Sequence, residues 1–231
     1  NIPFVCAFIT SFYTGLRTGE LFALTWDKID LENGFIYVEN SIYDKKDDGK
    51  GRWYIGTTKT KTGTRKIYIS ELLKTALTNF KNRQTDLKRL FGKDYKYYHI
   101  EEVKNEYGKV IEKRIVSNSD NEDKLDLVFT RDDGKFTGTD LIKYPFKIIH
   151  NELGLENYRF YDLRGTYATN LLNNGTIMNE ISELMGHSNP SITGKYYIST
   201  LEENKKEAIN NLDKINNSKV INNIIAFGVQ V

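Results

Sequence analysis

The chain has 231 residues, 39% of them hydrophobic, and a formal net charge of only +2. That length carries a sizeable core, either one large domain or one domain with an appendage. The single cysteine, Cys6, excludes an internal disulfide and a cysteine-based zinc site, and His99, His150 and His187 are too scattered to suggest a metal cluster.

No stretch approaches the roughly 18 apolar residues of a membrane span, and no signal peptide is visible. The chain opens inside an apolar segment, NIPFVCAFITSFY, without an initiator Met, so the expectation is a fragment whose N-terminal part is missing. A lone cysteine fits a reducing cytoplasm.

Residues 2–14 read as a buried helix. GLRTG then breaks the run, and GELFALTWDKI has Leu21, Leu24 and Ile29 at helical spacing. Three β-like runs follow, GFIYVEN (34–40), RWYIGT (52–57) and RKIYI (65–69), separated by turn-rich segments; they predict a small three-stranded antiparallel sheet. Ser70 is placed to cap the helix ELLKTALTNFKNRQTDLKRL. Residues 85–125 include a polar, tyrosine-rich stretch expected to form an irregular insertion, with room for a hairpin. DLVFT (126–130) reads as a short strand. After it the spacing predicts helices at about 138–152, 162–173, 177–185, 189–196 and 201–216. Gly186 suits a helix C-cap, Ser188 and Pro190 a new helix start, and Thr200 with Glu203 a capping box. The fold class is therefore α+β and mainly helical.

Charge is unevenly spread. From Gly49 to Lys66 there are six basic residues (Lys50, Arg52, Lys59, Lys61, Arg65, Lys66) and no acid. Such a stretch suggests one polyanion-facing surface, although lysines guarding a sheet edge are the blander and commoner explanation.

Four further segments hold groups suited to phosphate chemistry. Arg17 in TGLRTGELFALTW stands three residues before Glu20, which can hold the guanidinium as a rigid fork. Lys59 in TTKTKTGTRKIYI sits near a hairpin turn. Arg164 in YDLRGTYATNLL lies at a helix start, one turn after Tyr161. LMGHSNPSITGKYY places His187 after a glycine and ahead of the adjacent Tyr196 and Tyr197. Each segment alone has an ordinary structural explanation.

Together, and in this order, they resemble the tyrosine recombinases, or phage-type integrases. GLRTGELFALTW matches the first-arginine box, TKTKTGTRKIYI the lysine hairpin, YDLRGTYATNLL the box usually written His-x-x-Arg, and LMGHSNPSITGKYY the Gly-His box that leads to the nucleophile. The resemblance runs from residue 4 to about 200. It implies a tyrosine-recombinase catalytic domain over 1–216, with N-terminal DNA-binding domains absent from this fragment. Residues 217–231 would form a tail, a candidate for exchange between protomers.

The resemblance also implies roles. The family nucleophile lies nine residues after the histidine and three after a threonine, here His187 and Thr193, which selects Tyr196. Arg17, Arg164 and His187 would bind the scissile phosphate, Lys59 would be the general acid, and Glu20 would support Arg17. Tyr161 stands where the family most often has histidine. With an ordinary pKa of about 10 it is a poor base at neutral pH, though it can still hydrogen-bond the phosphate or the nucleophile. Lys50, Arg52, Lys61, Arg65 and Lys66 would contact DNA. No metal or cofactor is implied, because a tyrosine ester of the 3′-phosphate conserves the bond energy for rejoining.

The implied function is a site-specific recombinase of a bacterial mobile element. It would work in the cytoplasm, nucleoid-associated when bound, as a homotetramer on double-stranded attachment sites. An excisionase-type directionality factor and a host DNA-bending protein are the implied accessory partners, with no membrane involved. A type IB topoisomerase-like strand transferase and a catalytically degenerate DNA-binding protein are the alternatives.

Overall fold

A computed structural model describes residues 2–47, 50–58, 63–117 and 123–187. Its helices are α1 (Ile2–Thr14), α2 (Thr18–Phe22), α3 (Glu71–Phe91), α4 (Asp140–Leu153), α5 (Asp162–Asn173) and α6 (Met178–Met185). Its strands are β1 (Ile29–Asp30), β2 (Phe35–Val38), β3 (Asn40–Asp47), β4 (Lys50–Thr57), β5 (Arg65–Tyr68), β6 (Tyr98–Lys104) and β7 (Val110–Ser117).

Helix α1 is the central post, packing on α2, α3, α4 and α5. Its sequence has no charged residue to orient it, so small and apolar residues do the packing: Cys6 and Ala7 are buried together with Thr10, Ser11 and Thr14. The buried hydroxyls of Thr10 and Thr14 donate to the carbonyls one turn back, Cys6 O at 2.8 Å and Thr10 O at 2.6 Å, so neither is left unsatisfied. Helix α3 starts where expected: Ser70 Oγ accepts from Leu73 N at 3.3 Å, and Leu73, Leu77 and Phe80 turn inward. Gln84 on the same face is buried as well. Its Oε1 accepts from Trp26 Nε1 at 2.6 Å, and its Nε2 donates to Leu127 O and Thr130 Oγ1, each at 3.1 Å.

The strands form two antiparallel sheets. The first has the order β1–β2–β5, with Ile36 opposite both Ile29 and Ile67 in a buried row. The second has four strands in the order β3–β4–β7–β6. Four expectations change here. RWYIGT does not join the other two β-like runs; as β4 it pairs along its whole length with β3, a charged strand that composition conceals. In the stretch 85–125, residues up to Phe91 continue α3, and the hairpin it had room for is formed by β6 and β7, which replace the irregular backbone expected over 98–117 and carry a bulge at Val103/Lys104. DLVFT forms no strand beyond an isolated bridge between Leu127 and Thr25. Within GELFALTWDKI only Gly19–Phe22, the last four residues of α2, form α-helix; Trp26–Lys28 is a 3₁₀ turn leading into β1.

Helix α2 lies hard against β3. A methyl group at Gly19 would come within 2.5 Å of Ser41 Oγ and 2.7 Å of Ile42 O, so glycine is needed for this approach. The core extends from α1 through both sheets to α3, α4 and the start of α5, and a smaller cluster of Ala168, Ile181 and Met185 joins α5 to α6. The expected helices at 189–196 and 201–216, their caps, and the tail lie outside the described residues.

Candidate active site

The site forms where the N-terminal ends of α2 and α5 meet the C-terminal end of α6. Arg17 is the residue before α2, anchored between buried Leu16 and Leu21. Its backbone N–H donates to Glu20 Oε2 at 3.0 Å, and its Nη1 donates to Glu20 Oε1 at 2.7 Å. The carboxylate at the third helical position thus reaches back to the cap residue, as in a capping box. Glu20 is only 2% exposed.

A second guanidinium holds the same carboxylate. Arg65 Nη2 donates to Glu20 Oε2 at 2.8 Å and its Nη1 to Oε1 at 3.3 Å. Burial alone would push Glu20 up, but hydrogen bonds and charge from Arg65 and Arg17 outweigh it and hold the carboxyl below its ordinary value. Glu20 is therefore ionised at neutral pH.

Arg164 sits in the first turn of α5 and is 2% exposed. Its Nη1 donates to Gly15 O at 2.6 Å, and its Nη2 reaches both Met185 O and His187 Nε2, the latter at 2.9 Å. Burial, then the neighbouring Arg17, pushes its pKa down to about 10, which still leaves it charged at neutral pH. Burial and the charges of Arg164, Arg17 and Arg65 push His187 down to about 4. His187 is therefore neutral at pH 7. Arginine has no acceptor, so Nε2 is the accepting nitrogen and the ring proton sits on Nδ1.

The last turn of α6 connects these groups. Gly186 adopts the left-handed conformation (φ 64°), as expected for a C-cap, and its N–H donates to Glu183 O while His187 N–H donates to Ser182 O. The next three carbonyls are each taken by a different arginine. Leu184 O accepts from Arg65 Nε at 2.7 Å, Met185 O from Arg164 Nη2, and Gly186 O from Arg17 Nη2 at 3.1 Å. Three guanidiniums and one carboxylate leave the cluster with two net positive charges, an environment that favours an anionic ligand.

Five expected site residues come together here: Arg17, Glu20, Arg164, His187 and, at the lip, Tyr161, which is half exposed just before α5. Arg65, expected as a DNA contact, is instead buried, with its side chain 7% exposed. The reason is strand alternation: it shares the inward face of β5 with Ile67, and this phase was already present in RKIYI. Lys66 points the other way and rests 3.7 Å from the centroid of the Phe35 ring. Arg52 lies on β4 opposite Lys45, and Lys50 begins that strand. Lys59, Lys61, Tyr196 and Tyr197 lie outside the described residues. A cavity of about 840 Å³ between α1, α3 and α4, lined by Ile2, Arg83 and Tyr144, shares no residue with the arginine cluster.

The sequence pattern of the phage integrase family matches residues 59–203. The chain is 30% identical over 213 residues to a tyrosine recombinase XerC-like protein of Caldanaerobacter subterraneus, covering 90% of the chain and 48% of that protein. It is 30% identical over 185 residues to the transposase from transposon Tn916 of Enterococcus faecalis, covering 80% of the chain and 39% of that protein. The chain thus spans half or less of the length of these relatives. Among solved structures it resembles the Tn1549 transposon integrase in complex with transposon right-end DNA, with a TM-score of 0.58 at 22% identity over 89% of the chain and 59% of that structure. With the family pattern running through both the lysine hairpin and the Gly-His box, and the fold of a solved integrase around them, the chain belongs to the phage integrase family, the tyrosine recombinases.

Proposed function

We propose that this chain is the catalytic part of a site-specific recombinase of a mobile genetic element, which cuts and rejoins DNA through a 3′-phosphotyrosine. The observation that carries the reading is the convergence of Arg17, Arg164 and neutral His187 on the end of α6, nine residues before Tyr196. Relatives named as integrase and transposase support the mobile-element assignment.

Tyr196 attacks the scissile phosphorus, forming the Tyr196 Oη–P bond and breaking P–O5′. Its phenolic proton passes to solvent, and the net positive cluster stabilises the developing phenolate. Arg17 and Arg164 bind the non-bridging oxygens, and His187 adds a neutral hydrogen bond from Nδ1. Each such preorganised donor is worth on the order of a hundredfold in rate. Lys59 gives its proton to the departing 5′-alkoxide. Tyr161 hydrogen-bonds the phosphate at the lip. Attack on the phosphotyrosine by another 5′-hydroxyl completes the exchange.

The substrate is double-stranded DNA carrying attachment sites, on which four copies assemble in the bacterial cytoplasm at the nucleoid. An excisionase and a host bending protein set direction, and Lys50, Arg52, Lys61 and Lys66 add salt-dependent backbone affinity. Residues 217–231 pack on a neighbouring protomer.

The test is a DNA duplex nicked beside the cleavage site, so that the short product diffuses away and the covalent intermediate is trapped. The full-length protein is expected to form an adduct that Tyr196→Phe abolishes and Tyr197→Phe retains. Loss with Tyr197→Phe instead would move the nucleophile by one residue. An adduct in none of the proteins, with DNA still bound, would leave the degenerate DNA-binding reading standing.

A further inference from the structure

Arg65 does more than its expected role as a DNA contact would require. Its guanidinium is spread over three elements: Glu20 of α2, Leu184 O at the end of α6, and Gly63 O, which accepts from Nη1 at 2.9 Å beside the segment that carries Lys59. Both Arg65 and Glu20 are buried, with side-chain exposures of 7% and 2%. A buried group whose hydrogen bonds are committed to the protein is not available to a DNA backbone. It can, however, fix where other groups stand.

We propose that Arg65 is a positioning residue of the catalytic site. It holds Glu20, and through it Arg17, in register with the end of α6 that leads to Tyr196, without itself touching the phosphate. This inference rests on the recombinase reading above.

The physical case follows from what would remain without it. Glu20 is buried, and the charged groups facing it are Arg17, Arg65, Arg164 and His187 when protonated. Arg65 is its largest source of stabilisation. With Arg65 gone, burial dominates and the Glu20 pKa rises. Protonation then loosens the Nη1 contact to Arg17. Leu184 O also loses its donor at the helix end. Lysine restores a charge but not a fork, so it can serve Glu20 or Leu184 O but not both along with Gly63 O.

The experiment uses the full-length protein with Arg65→Met, Arg65→Lys, Glu20→Gln and the double variant Arg65→Met/Glu20→Gln. Single-turnover cleavage of the nicked duplex is measured against pH at saturating DNA, with DNA affinity measured against salt. Arg65→Met is expected to slow cleavage by roughly tenfold to a hundredfold at neutral pH, the scale of a small misplacement of a catalytic group. Its rate should fall further toward acid pH along a one-proton limb absent from the wild type. The limb should disappear in the double variant, DNA affinity should hardly change, and Arg65→Lys should recover part of the rate. An unchanged rate and pH profile would overturn the proposal. So would a loss confined to DNA affinity, with the salt slope reduced by about one, because that is the signature of a phosphate contact.

Urea unfolding of the same four variants against pH gives a readout independent of cleavage. Arg65→Met and Glu20→Gln should be strongly non-additive, and additivity would sink the proposal even if the wild type forms no adduct. A missing Tyr196-dependent adduct alongside intact Arg65–Glu20 coupling would instead overturn the recombinase reading.

Discussion

Gly15→Ala tests whether the backbone under the site is as tightly determined as the structure indicates. Gly15 has φ +60°, and a methyl group there would lie 2.3 Å from Tyr167 Cδ1, far inside van der Waals contact. Tyr167 is 9% exposed and cannot swing out to solvent. The left-handed backbone costs an L-residue about 1–2 kcal/mol. Overpacking against a fixed ring adds about 1–3 kcal/mol. A total of roughly 2–5 kcal/mol corresponds, for a chain of this size, to a fall in Tm of about 4–20 °C. Differential scanning calorimetry measures it. The two contributions separate in a double variant with Tyr167→Ala, which removes the overlap but keeps the backbone cost. The double variant should lie about 1–3 kcal/mol above the sum of the singles. The site is affected too, because Gly15 O receives Arg164 Nη1, so cleavage should slow in Gly15→Ala at temperatures where it is still folded. A Tm within about 1 °C of wild type, or strict additivity with Tyr167→Ala, would refute the reasoning.

Two further outcomes follow from the buried polar groups. Gln84→Met keeps the volume but strands Trp26 Nε1 and the partners of Nε2, and should lower stability by roughly 2–4 kcal/mol in urea unfolding. His187 has its pKa lowered from 6.5 to about 4, so the folded state binds fewer protons than the unfolded one between those values. Its contribution to stability is complete above pH 6.5 and is lost as pH falls toward 4. Between pH 5 and 6.5, above the window of Glu20, the wild type should therefore lose stability on acidification more steeply than His187→Gln. Equal slopes would show that His187 is not held neutral.

Most of the described helices, and several of the residues that gather in the candidate site, were legible in the sequence for different reasons. Helix α3 announces itself through Ser70 and the spacing of Leu73, Leu77 and Phe80. Arg17, Arg164 and His187 stand out because they sit in segments whose order and spacing are set by the chemistry. The second sheet was hidden. β3 reads NSIYDKKD, whose Asp and Lys residues are depleted in strands, and it forms one because Ile42 faces Ile55 across the pair. The β6–β7 hairpin was obscured in the same way: it is mostly exposed, so apolar alternation is weak along YHIEEVK. Arg65 illustrates a different failure. Its membership of a basic run suggested a surface, whereas its phase with Ile67 and Ile69 pointed inward; the second signal prevailed because Glu20 was there to receive the charge. No local pattern relates residues 45 positions apart, so that pairing appears only once α2 and β5 are folded together.

The end of α6 shows why the site needs more arginines than a phosphate has free oxygens. A helix C-terminus presents unsatisfied carbonyls and a partial negative charge, the wrong end to aim at a phosphate. Yet the segment proposed to carry the nucleophile follows directly from that end in the sequence, so that end cannot be turned away. Capturing Leu184 O, Met185 O and Gly186 O with three guanidiniums removes the repulsion and uses only part of each donor set. The same bonds tie the helix that leads to Tyr196 to Arg17, Arg65 and Arg164. On the proposed function Arg17 and Arg164 join two tasks, and a substitution at either should disturb the placement of the nucleophile as well as the binding of phosphate. Glu20 offsets the electrostatic cost of the arrangement, since buried Arg65 and Arg164 and the half-buried Arg17 would otherwise repel one another at close range.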